Sequence, residues 1–127
     1  MGWLQNRSGK PPKDVAERLT SRGLFRTTSD TAALSDDETV RRWLRELQLQ
    51  RDQQIFVHRP WGTVVAVADR RHTVQVFFTD GDKTWVAVPP GAGDDTKDLT
   101  PAQVSLVVLD ALTASAPPAW PDWRYLI

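Results

Sequence analysis

Two histidines are the residues of this sequence best suited to metal or proton chemistry. His58 ends the first of three consecutive strand-like segments, and His72 begins the third. At about 3.3 Å per residue, the strand between them separates the two rings by roughly 20 Å. A shared zinc ion requires both rings within about 2.1 Å of the metal. We therefore predict no metal site and interpret both residues as ordinary histidines at the edges of a sheet.

Aspartates are the other candidate ligands and catalytic groups. Five of them could gather into an acidic surface: Asp80, Asp82, Asp94, Asp95 and Asp98. The Asp80-Gly81-Asp82 segment lacks the spacing and the terminal glutamate of a calcium-binding EF-hand, and it suits a tight hairpin turn. The sequence contains no GxSxG, HExxH or phosphate-binding glycine motif, and nothing in it indicates a cleft for paired carboxylates. We predict that the chain is not an enzyme and binds no cofactor.

Six tryptophans in 127 residues are a high number, and their positions differ. Trp43 and Trp85 fall on predicted core stripes, where packing explains them. Trp61 occupies a turn, while Trp120 and Trp123 lie in the proline-rich C-terminal segment. Exposed aromatic residues of this kind anchor protein interfaces. The alternative is that the C-terminal segment folds back, so that its tryptophans cover one face of the sheet.

The element around which the chain is organised is a predicted hairpin over Thr73–Val88. Residues rich in Val, Phe, Thr and Trp flank the Asp-Gly-Asp turn, which is a strong hairpin signal. If Thr79 pairs with Thr84, Phe78 lies opposite Trp85 on one face and Phe77 beside Val86 on the other. Both faces are then apolar, and the sheet requires a cover on each side.

Two longer helices, one shorter helix and two further strands are predicted around this hairpin. Ser35 is the expected N-cap of a helix that runs to about Gln50, with its apolar residues at helical spacing. Thr100, Pro101 and Gln103 begin a second helix, whose Leu106 and Leu109 extend its apolar surface beyond one stripe. Strands are predicted over Gln54–Arg59 and Thr63–Ala68. Lys13–Arg22 is predicted to be a short helix, and Arg26–Ala33 a loop.

The composition of the chain indicates its cellular compartment and disfavours one class of partner, nucleic acids. Sixteen basic residues balance sixteen acidic ones, so the chain lacks the positive balance expected of a nucleic-acid-binding protein. Aromatic residues and arginines near the hairpin could still form a stacking platform, so nucleic-acid binding stays as a disfavoured alternative. The absence of cysteine fits a reducing compartment, and no apolar run has the length of a signal peptide or membrane span. We expect a cytoplasmic protein.

These segments predict a single α+β domain over residues 1–127 with two layers: an antiparallel meander of about four strands flanked by helices. Residues 1–10 are expected to be a flexible arm, and 116–127 an extended tail rich in Trp and Pro. The segments TVQVFFTDGDKTWVAV and LTPAQVSLVVLDAL make Asp36–Leu112 resemble small type III secretion chaperone-like proteins. The ending DALTASAPPAWPDW resembles that of small immunity proteins that block toxins.

The leading hypothesis is a non-enzymatic, chaperone-like or adaptor-like module that binds another protein or itself, a homodimer being one expected assembly. Its predicted anchors are apolar residues of the sheet, the second helix and the tail: Trp61, Phe77, Trp85, Val86, Leu106, Leu109, Trp120 and Trp123. The alternative is an immunity protein, which would bind a basic enzyme surface through the five aspartates of the acidic surface.

Overall fold

The computed structural model describes residues 14–21, 26–50, 52–68, 73–93 and 98–126. Within these ranges, seven strands form one antiparallel sheet in the order β2-β1-β3-β4-β5-β6-β7, with two helices. The strands are β1 Val15–Ser21, β2 Thr27–Ala33, β3 Gln53–Arg59, β4 Gly62–Ala68, β5 Val74–Asp80, β6 Lys83–Val88 and β7 Asp122–Tyr125. The helices are α1 Asp37–Leu47 and α2 Pro101–Ala111. This architecture is consistent with the expected α+β class, but the prediction of about four strands was wrong.

The central hairpin has the register that the sequence predicts. Phe78 pairs with Trp85, Thr79 with Thr84, and Phe77 with Val86. Gly81 is the first residue of the two-residue loop and has a φ of 62°, a conformation that glycine adopts without a steric penalty. Strands β3 and β4 also form close to their predicted limits, and the central residues of β4 are buried on both faces.

The first two strands contradict the sequence prediction. Val15–Ser21, expected within a helix, is β1, and Thr27–Ala33, expected within a loop, is β2. Strand β1 pairs with β2 on one side and with β3 on the other, so its backbone groups are bonded along both edges. Hydrogen bonding to a neighbouring strand on each side therefore determines the structure of β1, whose intrinsic preference for helix or strand is weak.

Both helices begin with side-chain caps. In α2 the predicted capping box is confirmed: the Gln103 N–H donates to Thr100 Oγ1, and Gln103 Oε1 accepts from the Thr100 N–H. In α1 the N-cap is Asp36 and not Ser35, because Asp36 accepts hydrogen bonds from both the backbone and the side chain of Thr39. The helix ends at Leu47, three residues before the expected end.

The main core lies between the two helices and one face of the sheet, called here the helix face. From α1 it takes Val40, Trp43, Leu44 and Leu47, and from α2 Val104, Val107, Val108 and Ala111. Alternate strand residues such as Ile55, Val64, Ala66 and Val76 complete it. Both predicted apolar stripes are therefore confirmed as core. On the opposite face, Phe56 and Val65 are also fully buried.

The C-terminal segment extends the sheet and does not cross the body of the domain. Residues 122–125 form β7, which pairs antiparallel with β6, so that Ala87 lies opposite Trp123 and Trp85 opposite Tyr125. Two contacts fix this segment to the loop that follows β6: the Gly91 N–H donates to Asp122 at 3.0 Å, and Arg124 donates to the Gly93 carbonyl. The tail therefore packs on its own chain.

Candidate partner-binding surface

An aromatic cluster lies on the helix face where β4, β5, β6 and β7 adjoin. Its centre is Phe78, whose ring stacks on Trp85 at a centroid distance of 5.0 Å. Trp61 and Trp123 meet the same ring at 5.8 and 5.7 Å, both tilted by 58°. Tyr125 contacts Trp85 edge-on at 5.6 Å. We call these five residues the aromatic surface: Trp61, Phe78, Trp85, Trp123 and Tyr125.

Strand register brings four of the five rings together. Phe78 and Trp85 are cross-strand partners in the β5–β6 hairpin, and Tyr125 pairs with Trp85 on its other side. Trp123 lies two residues before Tyr125 and therefore shares its face. Cross-strand aromatic pairs of this kind each stabilise a sheet by roughly 0.2–1 kcal/mol. The cluster is therefore built from regular strand pairing.

The fifth ring, that of Trp61, arrives from the β3–β4 turn, and Gly62 allows its approach. A Cβ atom at Gly62 would lie 2.3 Å from Phe78 Cε1 and 2.6 Å from the Thr79 carbonyl oxygen. The φ of Gly62 is also 144°, a region that other residues rarely adopt. Glycine is required here because both the space and the backbone conformation exclude a side chain.

Hydrogen bonds hold two of the rings in place. Trp61 Nε1 donates to the Ala114 carbonyl at 3.1 Å, and Trp123 Nε1 donates to the Pro118 carbonyl at 2.9 Å. The Arg59 guanidinium lies 5.8 Å from the Trp61 ring centre and donates to the Ala111 carbonyl at the end of α2. Because these indole N–H groups are already bonded, the two rings contribute apolar area and not donors.

Exposure increases towards the outer strand of the cluster. Phe78 is buried, the three tryptophans are half-buried, and 57% of Tyr125 is exposed. Asp80 and Lys83 form the next cross-strand pair on the same face, and both are exposed. Asp82 occupies the adjacent turn. The result is a partly exposed, ring-lined surface with charged residues at one rim, the composition found in protein interfaces.

The structure places the other predicted anchors elsewhere. Leu106 and Leu109 line a shallow groove on the outer side of the helices, together with Arg41, Ala102, Ser105 and Asp110. Phe77 and Val86 pair on the face opposite the helices, where Val86 is only 8% exposed. Trp120 is half-buried against the main core. Of the eight predicted anchors, the aromatic surface unites Trp61, Trp85 and Trp123.

Phe78 and Tyr125 were not among the predicted site residues. The predicted register already placed Phe78 opposite Trp85, so the sequence contained the signal for the first of them. Tyr125 stands two residues after Trp123, a period-two spacing that indicates a strand.

The predicted acidic surface is only partly described. Asp80 and Asp82 lie together at the β5–β6 turn, and Asp98 is exposed before α2. Asp94 and Asp95 lie outside the described residues, as do His72 and the predicted arm at residues 1–10. In the described ranges, no three His, Asp or Glu side chains come close enough to hold a metal ion.

A buried polar cluster lies on the face opposite the helices. His58 Nε2 is 3.1 Å from Glu17 Oε1, and His58 Nδ1 is 3.3 Å from Thr63 Oγ1. Ser29 donates to the other Glu17 oxygen at 2.8 Å, and the imidazole stacks on Phe56. The expectation of an ordinary edge histidine was wrong for His58, because it lies inside the sheet.

Thr63, His58 and Glu17 place a hydroxyl, an imidazole and a carboxylate in a row. Enzymes use this arrangement to activate a nucleophile. The side chains of His58 and Glu17 are, however, only 4% and 5% exposed. Buried polar groups require hydrogen-bond partners, and both residues have them: His58 contacts Glu17 and Thr63, and Glu17 also accepts from Ser29. We interpret them as a structural pair and not as a catalytic one.

Comparisons of the chain with protein-family models, with curated proteins and with solved structures found no match. No helix within the described ranges has the length and apolar character needed to span a lipid bilayer.

Proposed function

We propose that this chain is a non-enzymatic protein-binding module of the chaperone or adaptor kind, and that the aromatic surface contacts the partner. The observation that carries the proposal is the continuous set of five rings that ends at Tyr125, 57% of which is exposed. Tryptophan and tyrosine dominate the binding energy of many protein interfaces. The absence of cysteine supports a cytoplasmic setting.

The rigidity of the rings supports binding without large reorganisation. Trp61 and Trp123 are fixed by indole hydrogen bonds, and Phe78 is held between three neighbours. Because these side chains are already fixed in the free protein, binding a partner does not carry the entropic cost of ordering them. A protein is a better match than a nucleic acid, since the rim contains Asp80 and Asp82 and the chain has no net positive charge.

The experiment is affinity capture from the native cell with the intact chain and the double variant Trp85→Ala/Tyr125→Ala. We expect partners captured by the intact chain to be reduced at least about tenfold with the variant. The matched control is Leu49→Ala, which removes another exposed apolar side chain (83%) just beyond the end of α1. Equal capture by the double variant and the intact chain would contradict the proposal.

A second candidate, an inhibitor that blocks a toxin, is favoured by the position of Asp80 and Asp82 beside the aromatic surface. In such a protein the carboxylates would face a basic enzyme surface and accelerate association. Asp80→Asn/Asp82→Asn would then abolish capture at low salt, whereas the adaptor proposal predicts only a small loss. Surface plasmon resonance with a captured partner at two salt concentrations separates the two candidates.

A further inference from the structure

We infer that strand β2 binds an extended segment of another protein as an eighth strand, and that this segment places a lysine or arginine opposite Asp30. Strand β2 is at the opposite end of the sheet from β7 and the aromatic surface. The inference concerns a separate surface and does not depend on the proposed function.

The outer edge of β2 is long and regular. All seven residues pair with β1 in continuous register, from Thr27 opposite Ser21 to Ala33 opposite Val15, without a bulge. The other edge of the sheet, β7, has only four residues. A seven-residue edge presents a row of backbone donors and acceptors to any extended chain that reaches it.

Apart from the charge of Asp30, the side chains of β2 do not protect this edge. Proteins usually block an edge strand with lysine, proline, a bulge or a covering loop. Residues 27–33 read TTSDTAA and contain no lysine, arginine or proline, and all except Ala32 are exposed. Their small side chains leave room for an incoming strand, and threonine favours strand structure.

The negative charge next to this edge favours an incoming segment that contains a basic residue. Arg18 donates to both Asp30 and Glu46, so one guanidinium lies between two carboxylates and a negative charge remains. The Asp30 side chain is 53% exposed on the edge itself. Opposite charges on neighbouring strands stabilise pairing, so a basic residue opposite Asp30 completes the charge balance.

A second copy of this chain fits the edge less well. Antiparallel pairing of two β2 strands about a two-fold axis, with all seven residues used, places Asp30 opposite the same residue of the other copy. Like charges directly opposite each other destabilise strand pairing. Any shifted register loses hydrogen bonds at both ends.

The test uses the isotope-labelled full chain and a synthetic peptide, acetyl-Thr-Val-Thr-Lys-Thr-Val-Thr-amide. Amide shifts and hydrogen exchange of β2 are followed by NMR during titration. We expect shifts and slowed exchange over residues 27–33. The same peptide with a central glutamate is expected to bind about three- to tenfold more weakly, and a peptide N-methylated at alternate residues is expected not to bind.

Charge reversal provides the decisive variant. Asp30→Lys should reverse the preference between the lysine and glutamate peptides, and Asp30→Asn should remove it. The control Asp82→Lys, at the β5–β6 turn, should leave the preference unchanged. The inference is overturned if β2 amides do not respond at millimolar peptide, or if Asp30→Lys keeps the original preference. It is also overturned if β2 amides shift with protein concentration alone, which would indicate self-pairing.

Discussion

Asp36 caps α1 through two hydrogen bonds from Thr39, one from the hydroxyl at 2.7 Å and one from the backbone N–H at 3.2 Å. The side-chain bond is the larger cause of a pKa of Asp36 below its ordinary value, and the backbone bond adds to it. Because the folded-state pKa is depressed, the ionised carboxylate stabilises the fold above the unfolded-state pKa. That stabilisation is lost as pH falls through the folded-state pKa.

We therefore predict that Thr39→Val lowers the free energy of unfolding at neutral pH and raises the pKa of Asp36. The difference from the intact chain should shrink as the pH is lowered below about 3.9, the ordinary aspartate pKa. Urea unfolding across the acid range, with NMR titration of the Asp36 carboxyl, measures both quantities. A difference that stays constant with pH would show that the variant acts through lost packing.

The Glu17–His58 pair gives a second prediction for single residues. Replacing one member leaves a buried polar atom of the other without this hydrogen bond, which costs about 1–3 kcal/mol, and more for a charged group. We expect Glu17→Leu and His58→Leu each to be destabilised on this scale. The double variant should be less destabilised than the sum of the two, as a double-mutant cycle in urea would show. Additive effects would contradict the coupling.

The sequence could identify three of the five aromatic residues of the candidate site but not this pair. Trp61, Trp85 and Trp123 stand out by type and position. Glu17 and His58 are 41 residues apart, and Glu17 belongs to a segment with helical apolar spacing. Only the pairing of β1 with β3, which places Glu17 opposite Phe56 and next to His58 on the same face, brings them together.

Among the elements, the β3–β4 turn depends most on a single residue. We predict that Gly62→Ala destabilises the chain by well over about 1 kcal/mol, because the new Cβ meets Phe78 and the backbone of Thr79 at a strained φ. The control is Gly91→Ala, which has a φ of 75° but no atom within 4 Å of the added Cβ. Thermal unfolding should show a larger loss for Gly62. Equal losses would show that backbone strain alone, and not the approach to Phe78, is responsible.

The strands that the sequence failed to predict share a physical reason. Val15 and Leu19 have helical spacing, and the serine and threonines of β2 suit turns as well as strands. Neither segment contains enough apolar residues for their spacing to distinguish a strand from a helix or a loop. Strand β1 is fixed by pairing with β3, which was predicted correctly, and β2 is fixed in turn by pairing with β1. Three of the seven residues of β2 are β-branched threonines, and this was the remaining strand signal.

For the whole molecule, the aromatic surface joins the last strand to the main core. Trp123 pairs opposite Ala87, contacts Phe78 and packs against the core. We predict that Trp123→Ala lowers the free energy of unfolding by somewhat less than the ~3–5 kcal/mol typical of fully buried aromatic residues, since this ring is half-buried. It should also accelerate hydrogen exchange in β6. Leu126→Ala, which removes a side chain that is 49% exposed, is the control.

Similar exchange in the two variants would show that β7 is held mainly by its backbone hydrogen bonds. Faster exchange in Trp123→Ala alone would show that the ring anchors the strand. Hydrogen exchange followed by mass spectrometry distinguishes these outcomes, because the peptides that cover β6 and β7 report on opposite sides of the same ladder.

The position of β7 in the chain also has a consequence for biosynthesis. Among the described residues, six strands and both helices precede residues 122–125, so these elements leave the ribosome before β7. Until then the nascent polypeptide presents the bare side of β6 and the unshielded rings of Phe78 and Trp85. In that interval the growing chain is most open to premature association with its neighbours, and emergence of a four-residue segment ends it.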